Sequence, residues 1–315
     1  MGWCTTFDLD RFLTVAGGYL TARAAENTLL LSAAQAAYAT RDNRPGHDVK
    51  GPPGALFGWW EPPDGSGPRG AFLHNPSAPV LIAGRAPEIA AALAAELPKA
   101  GRAMSGVDAP REAADAFAAA WSQRAGVGVR VHRHSRVYRM AGAVPEQHGL
   151  FAGPAGQLRR ATGADRELLV AWVKAFKAEV GELATAAETT VDDLLCYGGA
   201  AFWEANGVPV AMAAVTRPVA GTVRISMMYT PPERRRSGYG SAVTLAVSRA
   251  VLAPPEAGGA SAITEVVMIT EGNKPDRVAA RLGYELVGER VVLRFGPLTG
   301  PTPRFPTGPV PRLRG

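Results

Sequence analysis

The stretch from Ser226 to Ser241, SMMYTPPERRRSGYGS, constrains the fold of this 315-residue chain more than any other part of it. A run with strand character ends at Thr230, and two prolines then turn the chain, because proline fixes φ and removes a backbone donor. An arginine- and glycine-rich loop follows, after which residues 238–252 carry apolar side chains at helical spacing. The stretch therefore predicts a strand, a turn and a helix in immediate succession.

The loop in this stretch has the chemistry of a pyrophosphate site. Gly238 and Gly240 let the backbone approach a phosphate closely, and the first N–H groups of a helix have no partner within it. The helix dipole adds partial positive charge at the same end, and Arg235 and Arg236 add full charges. The pattern R-x-x-G-x-G is weak evidence alone, but the strand before it and the amphipathic helix after it make it specific.

Residues 157–296 alternate between strands and helices around this loop. Asn206-Gly207 is a strong hairpin signal. Strands are predicted at 157–160, 201–204, 208–216, 222–230, 262–270 and 285–295, and helices at 163–180, 190–196, 238–252 and 276–282.

Residues 1–140 repeat this order more faintly. Trp60-Glu61 stands at the place of Trp203-Glu204, each pair just before a turn that contains glycine, which supports a duplication. Helices are predicted at 10–20, 28–38, 87–97 and 111–121, and strands at 56–61, 69–73 and 80–83, near Ser105, and as a pair across 128–140.

Two segments lack the pattern of a packed element. Residues 141–156 are rich in Gly, Pro and Ala, which is typical of a linker. Residues 297–315 are rich in proline, which predicts a disordered tail. The chain is therefore expected to hold two domains of similar length.

The second half resembles the GNAT N-acetyltransferase superfamily over the whole of residues 157–296. The phrase MMYTPPERRRSGYGSA at 227–242 is similar to the acetyl-CoA motif of the family, and VAARLGYELVG at 278–288 to its last helix and strand. The first half resembles the degenerate GNAT-like domain of two-domain members, opening with AGGYLTARAAENTLLL at 16–31. The resemblance implies an α/β fold of two tandem GNAT-like domains, each a mostly antiparallel central sheet flanked by helices.

The same resemblance implies acetyl-CoA as co-substrate and a small-molecule or peptide amine as acceptor, which would attack the thioester directly in a ternary complex. The strands at 222–230 and 262–270 would part to leave a slot, and the backbone of three consecutive residues would bind the pantetheine arm: Met228, Tyr229 and Thr230. The pyrophosphate would be wrapped by Arg235, Arg236, Ser237, Gly238, Tyr239, Gly240 and Ser241.

The chain departs from the family pattern at three places. Arg236-Ser237 stands where the family often has glycine followed by arginine or lysine. Ala279 stands where many members have a tyrosine that protonates the leaving thiolate, and Asn273 is one place out of register with the family asparagine. Tyr284 is nearby, but its position favours core packing. Catalysis would then use another acid, or lose the thiolate with help from water.

Attack on a thioester requires a neutral amine, so a base or a water chain must remove a proton. Glu179, at the end of the first helix of residues 157–296, is the first candidate for this base. The next candidates are Glu271 and Glu265, near the predicted strand that faces the slot. Glu204 is a weaker candidate because it is expected at a hairpin end.

The charge and composition leave two other functions open. A formal net charge of +6, carried mostly by arginine, fits either phosphate-bearing ligands or nucleic acid. An aminoacyl-tRNA-dependent transferase that forms amide bonds on the same doubled fold is one alternative, although CoA rather than tRNA requires the intact phosphate loop. Nucleic acid is expected only under that alternative. The second is a silent acetyl-CoA-binding module, motivated by Ala279.

The remaining composition predicts a cytoplasmic protein without metal or membrane. Cys4 and Cys196 are too few for a disulfide framework. No apolar run reaches the roughly 18 residues that would span a bilayer. His132 and His134 share one strand face, but no third metal ligand lies near them in the sequence, so no metal site is expected.

Overall fold

The computed structural model describes residues 2–41, 54–142, 153–182, 184–253, 263–272 and 276–297. The chain divides into two compact units. The first holds residues 1–137, 270–275 and 287–304, and the second holds 138–269, 276–286 and 305–315. Most of the predicted linker, all but the first residue of the predicted tail, and Asn273 lie outside the described residues.

The first half of the chain contains six strands and four helices in the described ranges. They are β1 (Trp3–Thr6), α1 (Leu9–Thr21), α2 (Thr28–Arg41), β2 (Leu56–Trp60), β3 (Ala71–His74), β4 (Val80–Ala83), α3 (Pro87–Glu96), β5 (Gly106–Pro110), α4 (Arg111–Ala125) and β6 (Gly128–Ala141).

The second half continues with the same kinds of element. They are β7 (Gln157–Arg160), α5 (Arg166–Glu179), α6 (Ala187–Tyr197), β8 (Ala200–Ala205), β9 (Val208–Val215), β10 (Thr222–Tyr229), α7 (Tyr239–Leu252), β11 (Glu265–Glu271), α8 (Arg277–Arg281) and β12 (Glu285–Gly296).

Both units use one strand order. In the first unit β1, β2, β3 and β4 are antiparallel neighbours, and β4 is parallel to β5. In the second unit β7, β8, β9 and β10 are antiparallel neighbours, and β10 is parallel to β11. A helix pair follows the first strand of each series, and one helix follows the fourth. The predicted α/β fold of two tandem domains with mostly antiparallel sheets is confirmed, each sheet being mixed by one parallel pair.

The last strand of the chain completes the sheet of the first unit. Residues 290–294 of β12 pair antiparallel with residues 106–110 of β5. The division between the units falls after Val137 in β6 and after Leu286 in β12, so each of these strands contributes to both units. Sequence periodicity predicts that β12 is a strand, but not that β5 is its neighbour.

A β-bulge in β10 decides which side chains face which helices. The register between β9 and β10 shifts between Ile225 and Met227, around Ser226. Ile225 packs with residues of α7 and α8, whereas Met227 and Tyr229 pack with residues of α5 and α6. A regular strand would place residues 225, 227 and 229 on one face, and the extra residue of a bulge reverses that alternation.

Most predicted elements are present with small shifts of their ends, but one prediction is wrong and one strand was missed. The strand pair expected across 128–140 is one strand, β6, and the strand β1 was not predicted. The hairpin prediction is confirmed: Asn206 (φ 52) and Gly207 (φ 73) both have positive φ between β8 and β9. That conformation suits a tight two-residue turn, which asparagine and glycine tolerate best.

Candidate active site

The parallel strands β10 and β11 pair over only part of their length. Residues 222–225 of β10 pair with 265–268 of β11. Beyond Ile225, β10 continues as a partner of β9 alone among the described residues. The bulge at Ser226 lies where the pairing ends. The other edge of β10 from this point to Tyr229 therefore offers peptide N–H and C=O groups to a ligand, as the slot predicted from the sequence requires.

The loop after β10 has an unusual backbone conformation at two positions. Arg236 has φ 68 and Gly238 has φ 79, both in the left-handed region. Such a conformation costs an arginine roughly 1–2 kcal/mol, whereas glycine adopts it freely. Arg235 before them is extended (φ −71, ψ 163), so the backbone changes conformation at Arg236.

Helix α7 begins directly after this loop without a side-chain cap. Its N-cap residue is Gly238, and no acidic residue lies in its first turn. The first helical hydrogen bond runs from Ala242 N to Gly238 O (3.0 Å), so the N–H groups of Tyr239, Gly240 and Ser241 have no acceptor within the helix. These donors and the helix dipole together suit a phosphate group.

Arg235 holds the loop to two other elements. Its Nε donates to Thr230 O (2.9 Å), and its Nη2 donates to Glu179 Oε1 (2.5 Å) at the end of α5. The guanidinium also lies 5.9 Å from the centre of the Tyr229 ring. The structure thus brings together Glu179, predicted as a base, and Arg235, predicted as a phosphate ligand. It also shows the Thr230 carbonyl engaged by Arg235.

The other loop side chains differ in exposure. Arg236 and Ser237 are exposed, Tyr239 is half-buried and Ser241 is buried. Since Arg236 is exposed beside the unpaired N–H groups of α7, its charge is available to a ligand. Met228 lies against α7, where Thr244 Oγ1 contacts its sulfur.

The position without the family tyrosine is closed to solvent. Ala279 is 0% exposed and packs in the apolar cluster that contains Ile225 and Tyr284. The hydroxyl of Tyr284 shares a hydrogen bond of 2.7 Å with Ser248 Oγ, and burial raises the pKa of Tyr284. Tyr284 is therefore a core residue, in agreement with its reading from the sequence.

The remaining carboxylates predicted as bases are all paired with arginine. In the first unit Glu271 Oε1 lies 3.4 Å from Arg133 Nη1. In the second unit Arg139 donates to Glu265 Oε1 (3.0 Å) and Arg159 donates to Glu204 Oε1 (2.6 Å). An ion pair favours the charged form of a carboxylate but weakens it as a base for a substrate.

The corresponding loop of the first unit differs. Only Gly84, Arg85 and Ala86 separate β4 from α3. Arg85 Nη2 donates to Glu26 Oε2 (3.1 Å) and to Val287 O (2.9 Å), so this end of its guanidinium is occupied within the protein. This loop has neither the length nor the free arginine of the loop before α7.

The first unit also fills the place where its parallel strands part. Val80 and Leu81 of β4 pair with β5, and the carbonyl of the next residue, Ile82, faces the guanidinium of Arg290 at 3.5 Å. The buried Arg290 donates to Asp108 Oδ1 (2.9 Å) and to Asp108 O (2.8 Å). In this unit the carbonyl that follows the paired residues of β4 is thus engaged by a side chain of the protein.

Sequence reasoning missed one polar residue beside the slot, Arg224 on β10. Its Nε is buried and makes no hydrogen bond. An arginine between Val223 and Ile225 has the ordinary pattern of an exposed strand position, so periodicity gives no sign of its burial.

Two copies of one mixed-sheet unit, the second with a phosphate-type loop beside parted strands, define the class of fold. No protein-family model matches the chain, and no curated protein matches it. Solved structures do. A GCN5-related N-acetyltransferase from Sphaerobacter thermophilus is 14% identical with a TM-score of 0.54, and the match covers 93% of this chain and 95% of that one.

Two further structures are similar over nearly their whole length. A GNAT-family acetyltransferase from Colwellia psychrerythraea is 12% identical (TM-score 0.54, 94% of this chain and 99% of that one). A Drosophila protein is 13% identical (TM-score 0.56, 94% and 99%). The chain therefore shares its fold with solved structures of GNAT-family acetyltransferases, as the resemblance predicted.

The described ranges offer neither a metal-binding cluster nor a membrane-spanning helix. No group of three or more His, Cys, Asp or Glu side chains that could hold a metal ion occurs there. No helix among these residues has both the length and the hydropathy needed to cross a membrane.

Proposed function

We propose that the second unit transfers an acetyl group from acetyl-CoA to an amine. The observation that carries this proposal is the loop between β10 and α7. Arg236 and Gly238 are left-handed there, the first turn of α7 is uncapped, and β10 leaves its partner strand just before it. A pyrophosphate supplies the negative charge that this loop lacks.

Different residues in and before the loop bind different parts of acetyl-CoA. The backbone of Met228 and Tyr229 takes the pantetheine arm at the free edge of β10, and the Thr230 carbonyl serves the loop instead. The N–H groups at the start of α7 and the side chain of Arg236 take the pyrophosphate. The first unit, whose matching position is filled by Arg290, takes none, so we expect one acetyl-CoA per chain.

The reaction forms a bond from the amine nitrogen to the acetyl carbon and breaks the carbon–sulfur bond, with the electron pair leaving on sulfur. The amine nitrogen must also lose a proton. Glu179 is the candidate base, and its carboxylate is paired with Arg235. A pyrophosphate beside the loop competes for Arg235 and frees the Glu179 carboxylate, so binding of acetyl-CoA would prepare the base. Glu271 stays the second candidate.

The leaving thiolate needs no dedicated acid. Tyr284 is buried in the core and Ala279 has no proton to give. A thiol has an ordinary pKa of about 8.5, so its anion is a tolerable leaving group near neutral pH and takes a proton from water. Loss of the family tyrosine is therefore compatible with turnover.

The test is release of CoA thiol from acetyl-CoA by the purified full chain over a panel of amines, beside a Gly238→Asp variant. The proposal expects amine-dependent release that the variant loses, because the substitution adds a β-carbon at a left-handed position and a negative charge beside the phosphates.

The two alternatives give different results in the same experiment. Binding of acetyl-CoA with no release on any amine would favour the silent binding module. Absence of both binding and release, with salt-sensitive binding of aminoacyl-tRNA, would favour the tRNA-dependent transferase.

A further inference from the structure

Arg224 is a half-buried arginine on β10 that forms no ion pair with any of the described residues. Its backbone N–H bonds Thr216 Oγ1 (3.0 Å), but its side-chain Nε is buried and unbonded. Burial lowers the pKa of Arg224, and no carboxylate acts in the opposite direction. A desolvated, unpaired charge is costly, so an arginine in this state calls for an anion from outside the described chain.

Arg224 is an exception among the arginines around it. Three half-buried arginines of the second unit have a carboxylate partner: Arg139 with Glu265, Arg159 with Asp165 and Glu204, and Arg235 with Glu179. The neighbouring Arg217 is neutralised by Asp193 at 2.6 Å. Of these five arginines, Arg224 is the one without a carboxylate partner among the described residues, so its charge can serve a ligand.

The position of Arg224 on β10 places it next to the slot. Strand alternation puts its side chain on the face opposite Ile225, which packs with α7 and α8. Tyr197, the last residue of α6, acts on Arg224 from this opposite face. The bulge at Ser226, where β10 leaves β11, is two residues away, or about 7 Å along the strand at 3.3 Å per residue.

Tyr197, which interacts with Arg224, is held in place by a hydrogen bond and by the guanidinium of Arg217. The Tyr197 hydroxyl donates to Val215 O (2.6 Å), and burial, ahead of the nearby Asp193 charge, raises the pKa of Tyr197 to about 12. The Arg217 guanidinium lies 4.2 Å from the centre of the Tyr197 ring. Gly199 makes this arrangement fit, because a β-carbon there would lie 2.2 Å from the ring.

We propose that Arg224 binds a carboxylate of the acceptor, so that the substrate is an amino acid or a peptide with its carboxylate near the reacting amine. This inference rests on the proposed function. The proposal places the acceptor on the face of β10 opposite α7, which is the face of Arg224. A planar guanidinium matches a carboxylate in a two-point contact.

The competing explanation is that Arg224 extends its Nη groups to water while its stem packs in the protein. In that case the charge does nothing for the acceptor, and a neutral side chain of similar length would leave substrate preference unchanged.

The test compares the wild type with Arg224→Met and Arg224→Lys. Arg166→Met is the control, since Arg166 pairs with Asp192 on the surface of the same unit. Acetyl-CoA binding is first measured by titration calorimetry. CoA release is then measured with the twenty amino acids, their carboxamides and ethanolamine phosphate. Methionine removes the buried unpaired charge at similar length, so that variant should fold with equal or higher Tm.

The inference expects the wild type to prefer amino acids over their carboxamides by at least tenfold in kcat/KM. Arg224→Met should lose on the order of 10- to 100-fold with the amino acids, the worth of a hydrogen-bonded charge, and nothing with the carboxamides. Arg224→Lys should fall between, and acetyl-CoA binding should not change in any variant.

Each of the other possible results contradicts the role of Arg224, the carboxylate of the acceptor or the proposed function. Acetyl-CoA binding without a carboxylate preference, or a preference that survives in Arg224→Met, overturns the role of Arg224 and leaves the proposed function standing. Preference for ethanolamine phosphate overturns the carboxylate and assigns a phosphate-bearing acceptor. No acetyl-CoA binding by the wild type overturns the proposed function and this inference together.

Discussion

Arg235 and Glu179 link the end of α5 to the loop before α7 through a single ion pair. Arg235 also bonds Thr230 O, so its guanidinium fixes the loop entry before any ligand arrives. The sequence indicates both residues, but from separate patterns, and gives no reason to expect their contact. Only the tertiary fold brings positions 56 residues apart within hydrogen-bonding distance.

Replacing Glu179 by glutamine separates catalysis from positioning. If Glu179 removes the proton, kcat should fall by about 10²- to 10⁴-fold, while acetyl-CoA should bind at least as tightly, with an equal or lower KM, because Arg235 loses a competing partner. Steady-state CoA release measures both constants, with Glu188→Gln as the control because Glu188 forms a comparable exposed pair with Lys174. An unchanged kcat with an altered acetyl-CoA affinity would mean that Glu179 only positions Arg235.

The left-handed conformation of Arg236 gives a second prediction for a single residue. Arg236→Gly and Arg236→Ala both remove the charge, but only glycine adopts φ 68 without strain. The glycine variant should therefore be more stable than the alanine variant by about 1 kcal/mol. Urea unfolding measures this difference. Equal stability, or a less stable glycine variant, would mean that the loop is not held in this conformation in solution.

At the scale of elements, the strand–loop–helix unit from β10 to α7 was predicted almost to the residue. Its signals are local: a strand of eight residues, two prolines, closely spaced glycines and a periodic helix. The bulge at Ser226 was not predicted, because nothing in the sequence SMMY marks an extra residue. Arg224 was missed for a related reason, since its burial depends on α6 packing above it rather than on its neighbours in sequence.

The hydrogen bonds between α7 and Tyr284 test the assignment of that tyrosine to the core. Tyr284→Phe removes the 2.7 Å bond to Ser248, which still donates to Thr244 O. Stability should fall by about 1 kcal/mol, the net worth of one hydrogen bond. Thermal unfolding and CoA release are measured on the same sample. A tenfold or greater loss of kcat without loss of stability would identify Tyr284 as a proton donor instead.

At the scale of the whole molecule, the sequence indicates the duplication through the order of its elements. It does not indicate how the two units differ. Trp60-Glu61 and Trp203-Glu204 mark corresponding strands, β2 and β8. The closing of the first unit's position by Arg290 depends on β12 pairing with β5, residues about 180 apart in sequence. Local patterns carry no information on pairings of such range.

His74 in the first unit makes stability depend on pH. It is 1% exposed, and burial, with the Arg102 charge second, lowers its pKa from 6.5 to about 4. Between about pH 6.5 and 4 the unfolded chain therefore binds a proton at His74 and the folded chain does not. The free energy of unfolding falls as the pH drops through this range. His74→Leu should remove one proton from this dependence, measured by urea unfolding at several pH values. An identical slope in the variant would show that His74 is not buried in solution.

The most direct test of the account is calorimetric titration of the full chain with acetyl-CoA, beside the Gly238→Asp variant. We expect one molecule bound per chain, and binding lost in a variant that unfolds as the wild type does. A stoichiometry of two would contradict the closed position at Arg290 in the first unit. No binding by folded wild-type protein would contradict the assignment of residues 235–241 as a pyrophosphate site, and with it the proposed acetyl transfer.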